Sequence, residues 1–206
     1  VEGTSVKLPF GSVEVPQDVL ELQALFAPAQ PGQVVQAVPG AGLNVPLWIL
    51  GSSLFGAHLA AELGLPFAFA SHFAPDALLQ ALASSRERFK PSEQLAAPYA
   101  MAGVNVIAAP TDAEARYLFT SAQQRFTDMF RGARGLSQPP IDDIESYWSP
   151  SEKAQAMGML ARSIVGSPET VRAGIEALVA ETGADELMVV SDVYDHATRL
   201  RSFELI

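Results

Sequence analysis

The chain has 206 residues, 49% of them hydrophobic, with 13 Lys and Arg against 23 Asp and Glu and a formal charge of −10. That length and apolar content suit one domain, or part of a larger one, with a substantial core, and exclude a disordered chain. The acidic excess argues against nucleic-acid backbones and anionic membrane surfaces as partners. The absence of cysteine excludes disulfides, Cys metal sites and thiol nucleophiles, and weakly favours a reducing compartment, the cytoplasm.

Residues 1–15 show no clear periodicity, and the first five, Val1 to Ser5, have neither the basic region nor the apolar stretch of a signal peptide. From Pro16 a helix is predicted, with Pro in its first turn and Val19, Leu22 and Phe26 on one face. The Pro- and Gly-rich stretch 28–44 reads as a loop. An apolar run, 45–50, then reads as a strand, Gly51-Ser52-Ser53 as a sharp turn, 54–63 as a helix, and Gly64-Leu65-Pro66 as the lead into a second apolar run, 67–71. Residues 75–88 form a helix with Leu78, Leu79 and Leu82 grouped, and 101–109 is the third strand. Thr111 and Glu114 make a capping box ahead of a helix bearing Leu118, Ala122 and Phe126. Residues 131–149 are an excursion too long for an ordinary connection, and Ser149-Pro150-Ser151-Glu152 caps the next helix. Ser167 and Pro168 open another, which runs to Gly183; the fourth strand is 187–190, and 196–206 closes the chain as a helix.

The apolar stretch around 45–73 is not a membrane span. Crossing a bilayer takes about 20 apolar residues in one helix, and here Gly51-Ser52-Ser53, His58, Glu62 and Gly64-Leu65-Pro66 interrupt it. Apolar runs without alternation, such as Trp48-Ile49-Leu50 and Phe67-Ala68-Phe69, are what strands covered on both faces look like. Repeated strand-helix units predict a parallel sheet, in an open doubly wound arrangement or a closed barrel, and pattern alone barely separates the two. A barrel has eight strands, so four make about half of one. In either case the turn after the first strand opens a helix, where backbone N–H groups are free to bind an anion such as a phosphate.

Four motifs in order carry a resemblance: Trp48 to Ala57, Gly64 to Ala70, Val165 to Val171 and Ala184 to Val189. Together they resemble the C-terminal half of the luciferase-like flavin monooxygenases, the bacterial luciferase superfamily, and within it the YhbW-like branch; the similarity runs from about Pro16 to Ile206. The resemblance implies a (β/α)8 TIM barrel of which residues 1–206 supply strands five to eight, with the first four strands lacking a counterpart. It implies non-covalent FMN, delivered reduced by a separate flavin reductase, which reacts with O2 to give a C4a-peroxyflavin that oxygenates a small organic substrate. It also places the flavin phosphate at the turn after strand five, on Gly51, Ser52, Ser53, Leu54 and Gly56. Two alternatives stay open: an F420-dependent oxidoreductase of the same superfamily, and a non-catalytic flavin-binding protein with a truncated barrel. A half barrel exposes a sheet edge and an apolar face, so a homo-oligomer or a missing half is expected, and the chain alone is expected to lack activity.

Ser52 and Ser53 also suit plain helix N-caps, but their position after an apolar parallel strand favours the anion site, and Gly51 and Gly56 would let the backbone approach a phosphate. His72 follows the second strand, at the end where barrel sites are assembled, and is the candidate catalytic residue. It is weighed against a polar residue satisfied at the barrel mouth. His58 reads as a packed helix residue, His196 as an imidazole beside Asp195 or a solvated helix position. Asp142, Asp143 and Glu145 read as a solvated loop rather than a metal cluster, since no His stands at ligand spacing. Arg131 and Arg134 read as surface residues or as contacts to an anion when 131–149 closes as a lid.

Overall fold

The computed structural model describes residues 14–133 and 135–206. Helix α1 (Glu14–Phe26) precedes the loop that leads to β1 (Ile49–Gly51). This strand is shorter than the apolar run 45–50 suggests. Pro46 has no N–H to give a ladder, and Leu47 spends both its backbone groups on the Gln94 side chain, at 3.2 and 2.9 Å. Pairing starts only where Ile49 N donates to Pro66 O, at 3.0 Å. Helix α2 (Leu54–Leu63) follows and stops at Gly64, whose left-handed φ of 63° suits a residue without Cβ.

Strand β2 (Phe67–Phe69) ends short of residue 71 because Ser71 N turns back to Phe69 O, at 2.9 Å. Then come α3 (Leu78–Arg88), β3 (Ala100–Ala108), α4 (Asp112–Phe130), a single 3-10 turn at Ile144–Ser146, and α5 (Pro150–Met159). Strand β4 (Ile164–Gly166), helix α6 (Pro168–Thr182), β5 (Glu186–Val190) and α7 (His196–Leu205) complete the order. Five strands therefore stand among the described residues where the sequence pattern gave four; β4 is too short to show a period. The four predicted ones form a parallel sheet in which β2 and β5 flank β3, and β1 lies beyond β2. Strand β4 pairs only with the C-terminal end of β3, Val106 to Ala108.

Alternation along the strands divides the sheet into two faces. Ile49, Phe67, Phe69, Ala102, Val104 and Val106 lie in one core with Leu59 of α2, Leu78 and Leu82 of α3, and Val171 and Leu178 of α6. The opposite face carries Leu50, Ala68, Met101, Gly103, Asn105 and Met188. A second core, built on Ile107, Leu118, Phe119, Phe126, Trp148 and Leu160, packs α4 and α5 against only its C-terminal end. Farther from that end, Leu50 is 71% and Met188 54% exposed.

Candidate functional site

Strands β1 and β2 are parallel neighbours, so the turn at Ser52-Ser53 and the residue His72 both lie at the C-terminal edge of the sheet. Ser52 and Ser53 are exposed. Ser53 is the N-cap of α2 in extended conformation, yet its side chain makes no capping bond. The N-caps Thr111, Ser149, Ser167 and Asp195 all accept a backbone N–H of their own helices. The first turn of α2 also lacks an acidic residue, whereas α4 carries two and α5 and α6 one each. A hydroxyl left unused, N–H groups that open outward and no competing carboxylate are the donor set a phosphate needs. Gly51 and Gly56 have a further role in packing. A Cβ on Gly56 would stand 3.3 Å from the Phe67 ring and 3.4 Å from Gly51 Cα, so the two glycines let α2 close onto β1 and β2.

His72 is half-buried, and its pKa is lowered first by burial and then by the positive charge of Arg125. Its ring meets Phe73 edge-on with centroids 4.7 Å apart. Arg125, on α4, pairs at 2.8 Å with Asp192, which follows β5. Both effects favour the neutral imidazole, which sits against Gly103 of β3 with Arg125 of α4 nearby. Ser71, Gly103, Asn105, Arg125 and Asp192 were not singled out from the sequence. The signal available was Gly103 and Asn105 themselves, two non-apolar residues at alternate positions of an otherwise apolar strand.

Apart from the exposed Asp142, the remaining candidates among the described residues have structural partners. His58 Nε2 lies 2.8 Å from Ser84 Oγ and links α2 to α3, and Arg199 Nη2 donates to Nδ1 of the exposed His196 at 3.0 Å. Asp143 caps the 3-10 turn, and Glu145 pairs with Lys153 at 2.7 Å. Arg131 is committed to Glu152, at 2.7 and 3.1 Å, and to Tyr147 O; Arg134 lies outside the described residues. Within the excursion, Pro139 O and Ile141 N bond Gln124 and Thr120 of α4, each at 2.9 Å, and Tyr147 Oη donates to Asp128 at 2.7 Å. Its second half is thus fastened to α4 and α5. A cavity of 690 Å³ between α4, the excursion and α5, lined by Tyr117, Gln123, Ile141 and Met157, contains neither the turn nor His72.

Arg131 and the Ser149 amide hold Glu152 down to about 2, below its ordinary 4.5. A carboxylate depressed by folding stabilises the folded state above the unfolded value and loses that contribution as pH falls toward the folded one. Glu152→Gln should therefore lower the unfolding temperature at pH 7, and the gap between the two proteins should close between pH 4.5 and about 2. Thermal melts across that range check it; a gap independent of pH would mean the charge does not fasten the excursion.

Parallel strands backed by helices, with an uncapped helix start and a histidine at their C-terminal edge, define an α/β protein built on a parallel sheet. The family profile described as luciferase-like monooxygenase matches residues 17–186. The chain belongs to that family. It is 50% identical over 190 residues to a luciferase-like monooxygenase of Escherichia coli K12, covering 92% of this chain and 57% of that protein. It is 49% identical over 196 residues to the uncharacterized protein YvbT of Bacillus subtilis, covering 94% and 58%. Among solved structures, apo-MsnO8 superposes with a TM-score of 0.80 at 29% identity, over 97% of this chain and 60% of that one. The chain thus spans less than three fifths of the length of these curated relatives. Among the described residues, no helix is long and apolar enough to cross a membrane.

Proposed function

We propose that this chain supplies the C-terminal half of a flavin-dependent monooxygenase, with the flavin phosphate held at Ser52-Ser53 and the reacting centre near His72. The reduced FMN would come from a separate reductase. When bound, reduced flavin supplies two electrons to O2, so that one oxygen atom enters the organic substrate and the other leaves as water. The observation that carries the reading is Ser53: an exposed N-cap, at the C-terminal end of a parallel strand, whose hydroxyl serves no bond in its own helix. The chain's own contribution is to bind and orient. Ser52, Ser53 and the opening N–H groups of α2 hold the phosphate, with Leu54 and Gly56 forming the floor of the turn. His72 offers a neutral imidazole, and α4 shields the C-terminal end of the inner face from water. The part of the excursion around the exposed Leu136 is the section free to close as a lid.

Ser53→Ala should weaken FMN binding by about 1 kcal/mol, the ordinary value of one hydrogen bond. Gly51→Val should do worse, because a Cβ there would already touch Gly56 Cα at 3.4 Å and two further methyls add bulk at the turn proposed to admit the phosphate. Titration with FMN and with F420, the barrel being completed by its N-terminal half or by a second copy, reads both effects. Unchanged affinity in both variants would remove the turn from the site, and tighter binding of F420 than of FMN would replace the monooxygenase by an F420-dependent oxidoreductase.

A further inference from the structure

The dipeptide Ser71-His72 is held to β3 at three points. Ser71 Oγ donates to Gly103 O at 2.6 Å, and Asn105 Nδ2 donates to the His72 carbonyl. The His72 ring lies directly on Gly103, where a Cβ would stand 2.5 Å from Nδ1 and 3.3 Å from Cε1. Gly103 and Asn105 are alternate residues of one strand and share a face. On the other face of the same strand, Ala102, Val104 and Val106 are ordinary core. The vacancy and the amide match the ring and the carbonyl of His72, one residue to each.

This contact also selects the tautomer. In place of a Cβ, Gly103 carries a hydrogen, and that hydrogen points at Nδ1. A lone pair on Nδ1 receives the C–H as a weak contact, whereas an N–H would meet it hydrogen to hydrogen. Nδ1 is shut from solvent and has no other partner. The single proton of the neutral ring therefore belongs on Nε2, which is the nitrogen a ligand can reach.

We infer that Gly103 and Asn105 are positioning residues that present His72 at the mouth of the site as a neutral Nε2–H donor. The consequence is chemical: an accessible N–H gives a hydrogen bond to an oxygen, and it does not remove a proton, since the ring's lone pair faces Gly103. Its use on an oxygen of the flavin, of O2 or of the substrate rests on the flavin reading above.

Protein labelled with [15N]histidine and observed by long-range 1H–15N correlation tests this without turnover. His72→Gln assigns the ring among the three histidines. The expected spectrum at neutral pH has a protonated Nε2 and a pyridine-like Nδ1 that exchange little. Gly103→Ala, which drives a methyl into the ring, and Asn105→Leu, which removes the amide at similar volume, should each give averaged tautomers; the second keeps the test alive where the first does not fold. FMN should move Nε2 and leave Nδ1 in place. Averaged tautomers in the unaltered chain, unchanged ring signals in both variants, or movement confined to Nδ1 would overturn the inference. A fixed ring that both variants loosen, with no response to FMN once the barrel is completed by its N-terminal half, would uphold the seat and count against the flavin reading alone.

Discussion

Phe67→Ala is expected to cost about 3–5 kcal/mol of folding stability, the usual loss for a buried aromatic, and to loosen the turn at Ser52-Ser53. Phe67 is fully buried. It stands in β2 with Phe69 edge-on at 6.1 Å, and its ring supports both glycines of the turn: Cβ positions on Gly56 and Gly51 would lie 3.3 and 3.7 Å from its Cε2. Removing the ring leaves a cavity under the first turn of α2, which is the turn proposed to hold the phosphate. Chemical denaturation should show the lost stability, and FMN affinity measured well below the unfolding transition should fall as well. Full stability in the alanine variant would mean that α2 and β1 hold each other without β2. Phe67→Leu, which keeps most of the volume, should recover the larger part of both losses.

The elements legible in the sequence are those whose signals are local. Thr111 with Glu114, and Ser149 with Glu152, announced α4 and α5; Thr111 and Ser149 both cap as their spacing says, and the reciprocal bond of a capping box is formed at Ser149 and Glu152. Apolar runs located β1, β2, β3 and β5, although only β2 and β3 are covered along most of their length and Leu50 of β1 and Met188 of β5 stand exposed. Boundaries were less legible because they are set by partners far along the chain, as Gln94 sets the start of β1. The same holds for the site. Ser52 and Ser53 were readable because a helix start is a local object, and His72 because it ends a strand. Gly103 and Asn105 were passed over since their meaning lies in a carbonyl and a ring more than thirty residues away. Arg131 looked like a free cation only because Glu152 and Tyr147 reach it through the fold of the excursion.

The 206-residue chain on its own is expected to self-associate. Its sheet has an apolar core on one face, but on the other only the C-terminal end is covered, by α4 and α5. Trp48, Leu50 and Met188 remain exposed, and β1 pairs with β2 alone among the described strands. An uncovered apolar face next to a strand edge with unpaired N–H and C=O groups is a template for another chain, and burying each large side chain gains about 1.5–3 kcal/mol. In the half-barrel reading that face is the barrel interior, to be closed by four further strands. Sedimentation at low concentration should therefore show species heavier than 21.9 kDa, with binding of a dye that reports exposed apolar surface. Leu50→Lys and Met188→Lys together should shift the distribution toward monomer, because a charge on each side of the contact opposes burial. Adding the N-terminal half of a family barrel should suppress both the association and the dye binding. A compact 21.9 kDa monomer with sharp cooperative unfolding and no dye binding would sink the half-barrel reading and leave an open sheet in its place.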